Sequence, residues 1–146
     1  MTGRAATTMK CHNCNAGQVQ PLAAAGRTAR YKNIEVTVPA DLAVLTCDHC
    51  GEEWITPEDA KRIDTALEQV YRAELLRRAR AVLPDPKDAP RVERDLGLSP
   101  GYLSRIRKGV RVPSSDLVTL LALIRERPGL LKNIEAFWAS RPEVQP

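Results

Sequence analysis

Hydrophobic and polar residues alternate along part of the first third of the chain. Ile34, Val36 and Val38 are β-branched residues separated by single positions, and a second apolar run covers residues 43–46. A period of two with β-branched residues predicts short β-strands, and the Pro and Asp between the two runs predict a break. Residues 10–56 are therefore predicted to form a small β domain.

From residue 57 the spacing of apolar positions changes to three and four, which is typical of an amphipathic helix. Thr56 is placed to cap this helix at its N-terminus, and Pro57 suits its first position. The apolar stripe over 57–83 fits one long helix or two helices broken near Tyr71. This segment is predicted to connect the β domain to a helical domain over 84–140, and a proline-rich stretch ends it.

Capping signals divide the helical domain into four shorter helices. Gly97 and Gly109 are placed to end the first and second of them. Ser99 is predicted to cap the second helix, and Ser114 or Ser115 the third. The predicted fold class is α+β, in which a small N-terminal β module precedes an all-α bundle of about five helices.

Length and composition agree with two small domains. The chain has 146 residues and an aromatic fraction of 4%, which favours two modest cores over a single large one. No apolar run approaches the roughly 18 residues of a membrane span, and the first residues lack the apolar centre of a secretory signal. The expected location is therefore the cytoplasm. Residues 1–9 are predicted to be a flexible leader, and residues 141–146 a loose tail.

The only four cysteines form two CxxC pairs, CHNC and CDHC, separated by 32 residues. Disulfides are rare in the cytoplasm, so these pairs predict a metal or redox function. Two such knuckles can place four thiolates tetrahedrally around one Zn²⁺. Since so small a module buries too little surface to fold easily alone, we expect a structural zinc to stabilise it. The expected ligands are Cys11, Cys14, Cys47 and Cys50.

Two other uses of these cysteines fit the sequence less well. A thioredoxin-like redox pair needs a CxxC at the start of a helix, and neither knuckle opens a predicted helix. A catalytic zinc keeps an open fourth position, whereas four cysteines already complete the shell. His12 and His49 lie inside the knuckles and are expected to be exposed bystanders. The chain also lacks a paired acid and base or a nucleophile with a partner His, so no enzyme is expected.

The positive charge of the chain is concentrated in its second half. The net charge is +4, yet residues 1–56 carry equal numbers of acidic and basic side chains. Residues 99–111 hold four basic residues and no acidic one. Such a segment suits phosphate groups, although a solvated helix face would also explain it. The neutral N-terminal module is better matched to a protein partner than to DNA.

The segment APRVERDLGLSPGYLSRIRKG has the pattern of a helix-turn-helix. Val92 and Leu96 form the inward face of its first helix, Gly97 supplies the turn, and Leu103 and Ile106 face inward on the second. Arg105 is suited to read guanine, and the other basic residues to hold phosphates. The residues expected to face DNA are Ser99, Gly101, Tyr102, Ser104, Arg105, Arg107, Lys108 and Arg111.

The stretch LGLSPGYLSRIRKGVRVPSSDLVTLLALI resembles the Cro and phage-repressor (Xre) class of DNA-binding domain. With the two CxxC pairs and RERPGLL before the last helix, residues 10–138 resemble antitoxins of the MqsA/YgiT type. In that family a zinc-binding N-terminal domain binds a ribonuclease toxin, and a C-terminal helix-turn-helix domain dimerises and binds a palindromic operator. Arg105 matches one base-reading residue of the family. Gly101 stands where the family has a base-reading Asn, and Glu93 where such motifs favour Ala.

The resemblance implies a DNA-binding repressor that is the antitoxin of a type II toxin–antitoxin system and autoregulates its operon. The implied partners are double-stranded DNA with a palindromic operator, a ribonuclease toxin on the N-terminal domain and a second copy of the chain through the C-terminal domain, without a membrane. The main alternative is a stand-alone regulator of the same architecture without a toxin. A helical bundle that binds protein instead of DNA is a further alternative.

Overall fold

The computed structural model of the protein describes residues 8–23 and 26–141, and it confirms the predicted α+β class. Short antiparallel strands occupy the first part of these residues, and five helices follow. Most of the predicted leader and tail, residues 1–7 and 142–146, lies outside the described residues. The described residues divide into two compact units between Tyr71 and Arg72.

The N-terminal unit contains two antiparallel sheets. A four-stranded sheet has the order β1-β2-β5-β6, and β3 and β4 form a separate two-stranded hairpin. The strands are β1 (Met9–Lys10), β2 (Gln18–Ala23), β3 (Thr28–Tyr31), β4 (Ile34–Thr37), β5 (Ala43–Cys47) and β6 (Glu53–Trp54). Met9, which the sequence assigns to the leader, pairs with Val19 at the edge of the larger sheet.

The period of two in the sequence corresponds to the two faces of β4. Ile34 and Val36 are buried, whereas Glu35 and Thr37 between and after them are exposed. In the larger sheet, the register of β2 on β5 places Val19 opposite Cys47. Alternating burial of the kind seen in β4 is what a half-buried sheet requires. The register of the larger sheet brings the end of β5 beside the start of β2.

The helices are α1 (Pro57–Val82), α2 (Ala89–Asp95), α3 (Tyr102–Arg107), α4 (Ser115–Glu126) and α5 (Leu130–Ala139). The first of the two sequence alternatives is therefore correct, since one helix runs through Tyr71. Thr56 caps it as predicted: its hydroxyl oxygen accepts a hydrogen bond from the Asp59 N–H at 3.1 Å. The Asp59 carboxylate accepts reciprocal bonds from Thr56, which lower the pKa of Asp59.

The β3–β4 hairpin is bound to the first half of α1 within the N-terminal unit. Its turn residue Lys32 donates a hydrogen bond to the Glu68 carboxylate at 3.0 Å, and the Tyr31 hydroxyl donates to the same oxygen at 2.9 Å. The Tyr71 hydroxyl donates to the Asn33 side-chain oxygen at 3.0 Å. These contacts orient the hairpin against the helix.

The C-terminal unit has one hydrophobic core to which all five helices contribute. Leu103 and Ile106 of α3 are 1% and 0% exposed, which confirms the inward face predicted for this helix. The buried residues of this core are Ala79, Leu83, Val92, Leu103, Ile106, Leu117, Leu121 and Leu131. The core therefore fixes which side of α3 can face a ligand.

The prediction that Ser99 caps α3 is wrong. The helix begins at Tyr102, after Gly101 adopts a left-handed conformation with φ +79°. The Ser99 carbonyl accepts a bond from the Tyr102 N–H at 3.0 Å, so Ser99 belongs to the preceding turn. The cap predictions at Gly97 and Gly109 are confirmed, because both glycines have left-handed conformations. The prediction for Ser114 is confirmed by its Oγ, which accepts a hydrogen bond from the Leu117 N–H at 3.3 Å.

Candidate metal centre and candidate DNA-binding surface

The four cysteines of the two CxxC pairs lie together in the N-terminal unit. Their sulfur atoms are all within 4.8 Å of one another, and no disulfide joins them. The Cys11 and Cys50 sulfurs are 3.8 Å apart, and those of Cys14 and Cys47 are 3.7 Å apart. Four sulfurs bonded at about 2.3 Å to one tetrahedral ion would be roughly 3.8 Å apart. The cluster therefore has the dimensions of a tetrahedral metal site.

The two knuckles have the same backbone design. In each, the residue four positions after the first cysteine has positive φ and donates its N–H to that cysteine's carbonyl. These residues are Asn15, with φ +55°, and Gly51, with φ +75°. Gly51 therefore lets the second knuckle turn, and Asn15 has the equivalent role in the first.

Gly17 lies where the second knuckle approaches the first, and it was not singled out from the sequence. Its carbonyl accepts a bond from the Cys11 N–H at 2.9 Å, and its N–H donates to the Cys14 sulfur at 3.4 Å. A Cβ at this position would lie 2.5 Å from the Cys47 sulfur. Only a residue without a side chain fits there, because the second knuckle passes directly over its backbone.

Hydrogen bonds from the backbone favour thiolates at this site. The N–H groups of Ala16 and Gly17 lower the pKa of Cys14 to about 6. Cys11 behaves oppositely: although the Cys14 N–H lowers its pKa, burial and the neighbouring sulfurs raise it to about 11. Four thiolates this close repel one another, so a cation is needed for all of them to ionise together.

Neither histidine belongs to the cluster. His12 and His49 are exposed, as predicted, and the four cysteines are the one group of potential ligands of this kind in residues 8–23 and 26–141. A tetrahedral ion held by all four sulfurs would have no ligand position left for a substrate. Beneath the site, Val19 is buried, and Leu45 and Trp54 pack against the cysteines.

The second candidate site is the outer face of α3 in the C-terminal unit. Ser104, Arg105 and Lys108 are exposed on the side away from the buried Leu103 and Ile106. Tyr102 and Gly101 are half-buried at the start of the helix, and Ser99 is exposed in the turn before it. Of the residues predicted to face DNA, Ser99, Ser104, Arg105 and Lys108 are therefore exposed on this short helix or in the turns beside it, whereas Arg107 is bonded to the Pro84 carbonyl.

The basic side chains of segment 99–111 have different partners. One guanidinium nitrogen of Arg105 lies 3.5 Å from the Pro100 carbonyl, at the limit of a hydrogen bond. The Arg111 guanidinium lies over the Tyr102 ring, 5.4 Å from its centre. Arg107 instead donates to the Pro84 carbonyl at 2.9 Å, which ties the end of α3 to the residues after α1. The segment thus combines cations held by neighbours with the exposed Lys108.

Glu93 of α2 supports the start of α3, a role that the sequence did not reveal. It is 5% exposed, and its carboxylate accepts a hydrogen bond from the Leu103 N–H at 3.0 Å. Leu103 is in the first turn of α3, where an N–H has no partner within the helix. Glu93 therefore caps the helix that carries Arg105, which is the task the sequence assigned to Ser99.

The C-terminal unit also exposes an apolar surface on α4 and α5, the two helices that follow α3 in the sequence. Phe137 and Trp138 are 64% and 72% exposed and contact each other edge to face, while Leu120 and Leu123 are 41% and 43% exposed. A groove of about 470 Å³ runs between these residues. A contiguous apolar surface of this kind is typical of a protein–protein interface. We call these four residues the α4–α5 patch.

No protein-family model matches the chain, and no curated protein sequence is significantly similar to it. Among the described residues, no helix has the length and apolar character needed to cross a membrane.

Proposed function

We propose that the protein is a DNA-binding transcriptional repressor that reads DNA with α3. The observation that carries this proposal is the one-sided exposure of the helix. Leu103 and Ile106 are buried in the core, whereas Arg105 and Lys108 face solvent in a segment without acidic residues. An α-helix fits the major groove, and the N-terminal part of a recognition helix contacts base edges. This charge distribution favours DNA over a protein ligand.

Arg105 is the proposed base-reading residue. Its guanidinium can form two hydrogen bonds with guanine, and its weak contact with the Pro100 carbonyl is easily exchanged for them. Arg111 and Lys108 are proposed to contact phosphates. The stack of Arg111 on Tyr102 restricts the Arg111 side chain before DNA binds, which lowers the entropy lost on binding.

We propose that the cysteine cluster holds one structural Zn²⁺. A set of four thiolates suits zinc, and four cysteines leave no open position for catalysis. When bound, zinc would cross-link the two knuckles, and its proposed role is structural only. The backbone N–H groups of Gly17 and His49, at 3.4 Å from sulfur, would hold the ligands Cys14 and Cys47 in place.

A homodimer through the C-terminal unit is part of the proposal. A palindromic operator requires two recognition helices related by a twofold axis. The α4–α5 patch supports such a dimer. Phe137 and Trp138 are exposed outside the core, and the patch contains no residue of α3. The proposed site of action is the cytoplasm.

The antitoxin role rests on the resemblance to MqsA/YgiT-type proteins together with the charge of the N-terminal unit. Equal numbers of acidic and basic residues in 1–56 favour a protein partner there over DNA. The proposed partner is a ribonuclease toxin. A stand-alone regulator with the same DNA-binding unit is the second candidate, since the double-knuckle module can bind another protein.

A pull-down separates these two candidates. The tagged chain is expressed in its native host, and bound proteins are identified by mass spectrometry. The antitoxin proposal predicts one small partner that is captured by the wild type and lost when Cys47→Ser disrupts the N-terminal unit. Capture of no small partner, together with specific DNA binding, would leave the stand-alone regulator.

A further inference from the structure

Arg80, in the last turn of α1, lies against the backbone that follows α3. One terminal nitrogen of its guanidinium is only 2.6 Å from the position that a Cβ would take on Gly109. Gly109 has φ +78° and ends α3. The glycine therefore has two roles: it allows the left-handed turn, and it leaves room for the Arg80 side chain to lie over the backbone.

A second arginine makes the reverse contact. Arg107, in the last turn of α3, donates to the carbonyl of Pro84, just after α1 ends. Arg80 and Arg107 thus join the end of α1 to the end of α3 from opposite directions. The Arg80 guanidinium lies next to Gly109, which is within two residues of the exposed Lys108 and Arg111 in the sequence.

The charge of Arg80 is not neutralised nearby. Within residues 8–23 and 26–141, no carboxylate lies within ion-pair distance of its guanidinium. The nearby Glu74 of α1 is instead paired with Arg77 and Arg78, at 2.6 Å and 2.7 Å. Arg80 therefore adds an unpaired cation to the acid-free segment 99–111, from a position about 20 residues or more away in the sequence.

We infer that Arg80 is a further phosphate-binding residue of the DNA surface, an inference that rests on the proposed function. When the start of a recognition helix enters the major groove, its flanking segments meet the sugar-phosphate backbone. Arg80 lies against Gly109, at the C-terminal end of α3, whereas Gly101 precedes its N-terminal end. Its ligand is a DNA phosphate, and its contact carries no information about base sequence. A purely structural alternative is that Arg80 only offsets the negative end of the α1 dipole.

The test is the salt dependence of DNA binding by the full chain. Two fluorescent duplexes are used, one selected from a random library and one of mixed sequence, at salt concentrations from about 50 to 200 mM. Arg80→Ala should reduce the slope of log K against log salt by about 1 on both duplexes, because one phosphate contact is lost. Arg80→Lys retains the charge and should retain most of the slope.

Arg78→Ala is the matched control, since it removes an arginine of the same helix whose charge is paired with Glu74. It should leave the slope unchanged, and circular dichroism should show that all variants are folded. An unchanged slope for folded Arg80→Ala, or an equal decrease for Arg78→Ala, would overturn the inference while leaving the proposed function intact. Failure of the wild type to bind either duplex would overturn both.

Discussion

The buried Glu93 carboxylate accepts a hydrogen bond from the backbone N–H of Leu103, so that α2 caps the first turn of α3. This single contact fixes the start of the proposed recognition helix relative to the helix before it. It also gives Glu93 a structural role at the position where the helix-turn-helix motifs that this segment resembles favour Ala. The carboxylate satisfies an N–H that is buried against the core and that no side chain of the local turn reaches.

Replacing Glu93 should therefore destabilise the C-terminal unit. Glu93→Ala leaves the Leu103 N–H buried without a partner, and we expect a loss of about 1–3 kcal/mol in the free energy of unfolding. Glu93→Gln keeps an acceptor oxygen and should lose less. Urea denaturation followed by circular dichroism measures both variants. Equal stability of Glu93→Ala and wild type would show that the contact does not support α3.

Gly17→Ala should abolish metal binding. The added Cβ would lie 2.5 Å from the Cys47 sulfur, so the two knuckles cannot approach as they do. Gly51→Ala is the matched control: it strains a residue with φ +75°, but nothing lies within 4 Å of its Cβ position. Metal content per chain, measured by atomic emission, should be near zero for Gly17→Ala and near one for Gly51→Ala. Full metal content in both variants would contradict the proposed geometry.

Metal removal should unfold the N-terminal unit. The module is small, and its core around Val19 is completed by the cysteines themselves. Trp54 packs against this core and reports on it, while Trp138 is the only other tryptophan. In a Trp138→Phe background, a strong zinc chelator should shift the Trp54 emission to longer wavelength, and added zinc should reverse the shift. A protein that purifies without metal and still shows the short-wavelength Trp54 emission of the folded unit would refute the structural role of the metal.

The α4–α5 patch should be required for dimerisation. Placing a carboxylate at Trp138 would bury an unpaired charge in the proposed interface, so Trp138→Glu should weaken the dimer by at least about tenfold. Leu22→Glu is the control, because Leu22 is also exposed, at 52%, but lies in the N-terminal unit. Sedimentation velocity should show a monomer for Trp138→Glu and a dimer for Leu22→Glu and wild type. A dimeric Trp138→Glu would place the interface elsewhere.

Local sequence patterns predicted the elements of this fold well. The alternation at Ile34 and Val36 marks a real strand, and the CxxC spacing predicted a cluster in which the sulfurs do lie together. Both signals are short-range, since a pleat or a knuckle is determined by neighbouring residues. The inward residues Leu103 and Ile106 were also predictable, because helical periodicity determines which side is apolar.

Three contacts that the sequence did not predict join residues of different helices or of different knuckles. Ser99 has the local chemistry of a helix cap, yet Glu93 from another helix supplies the cap once the two helices pack. The need for glycine at position 17 arises because the second knuckle lies over it, about 30 residues later. The contact of Arg80 with Gly109 depends in the same way on the approach of two helix ends. Such contacts need the tertiary structure, which no local pattern contains.

The central claim, that α3 reads a DNA operator, is tested most directly by selecting duplexes from a random library with the purified wild-type protein. Selection should enrich a palindrome whose half-sites lie about one helical turn, or a multiple of it, apart. Arg105→Ala, with its fold intact, should weaken binding to the selected site by about 1–3 kcal/mol and relax base preference within each half-site. Enrichment of no sequence over the starting library, or unchanged affinity and specificity in Arg105→Ala, would contradict it.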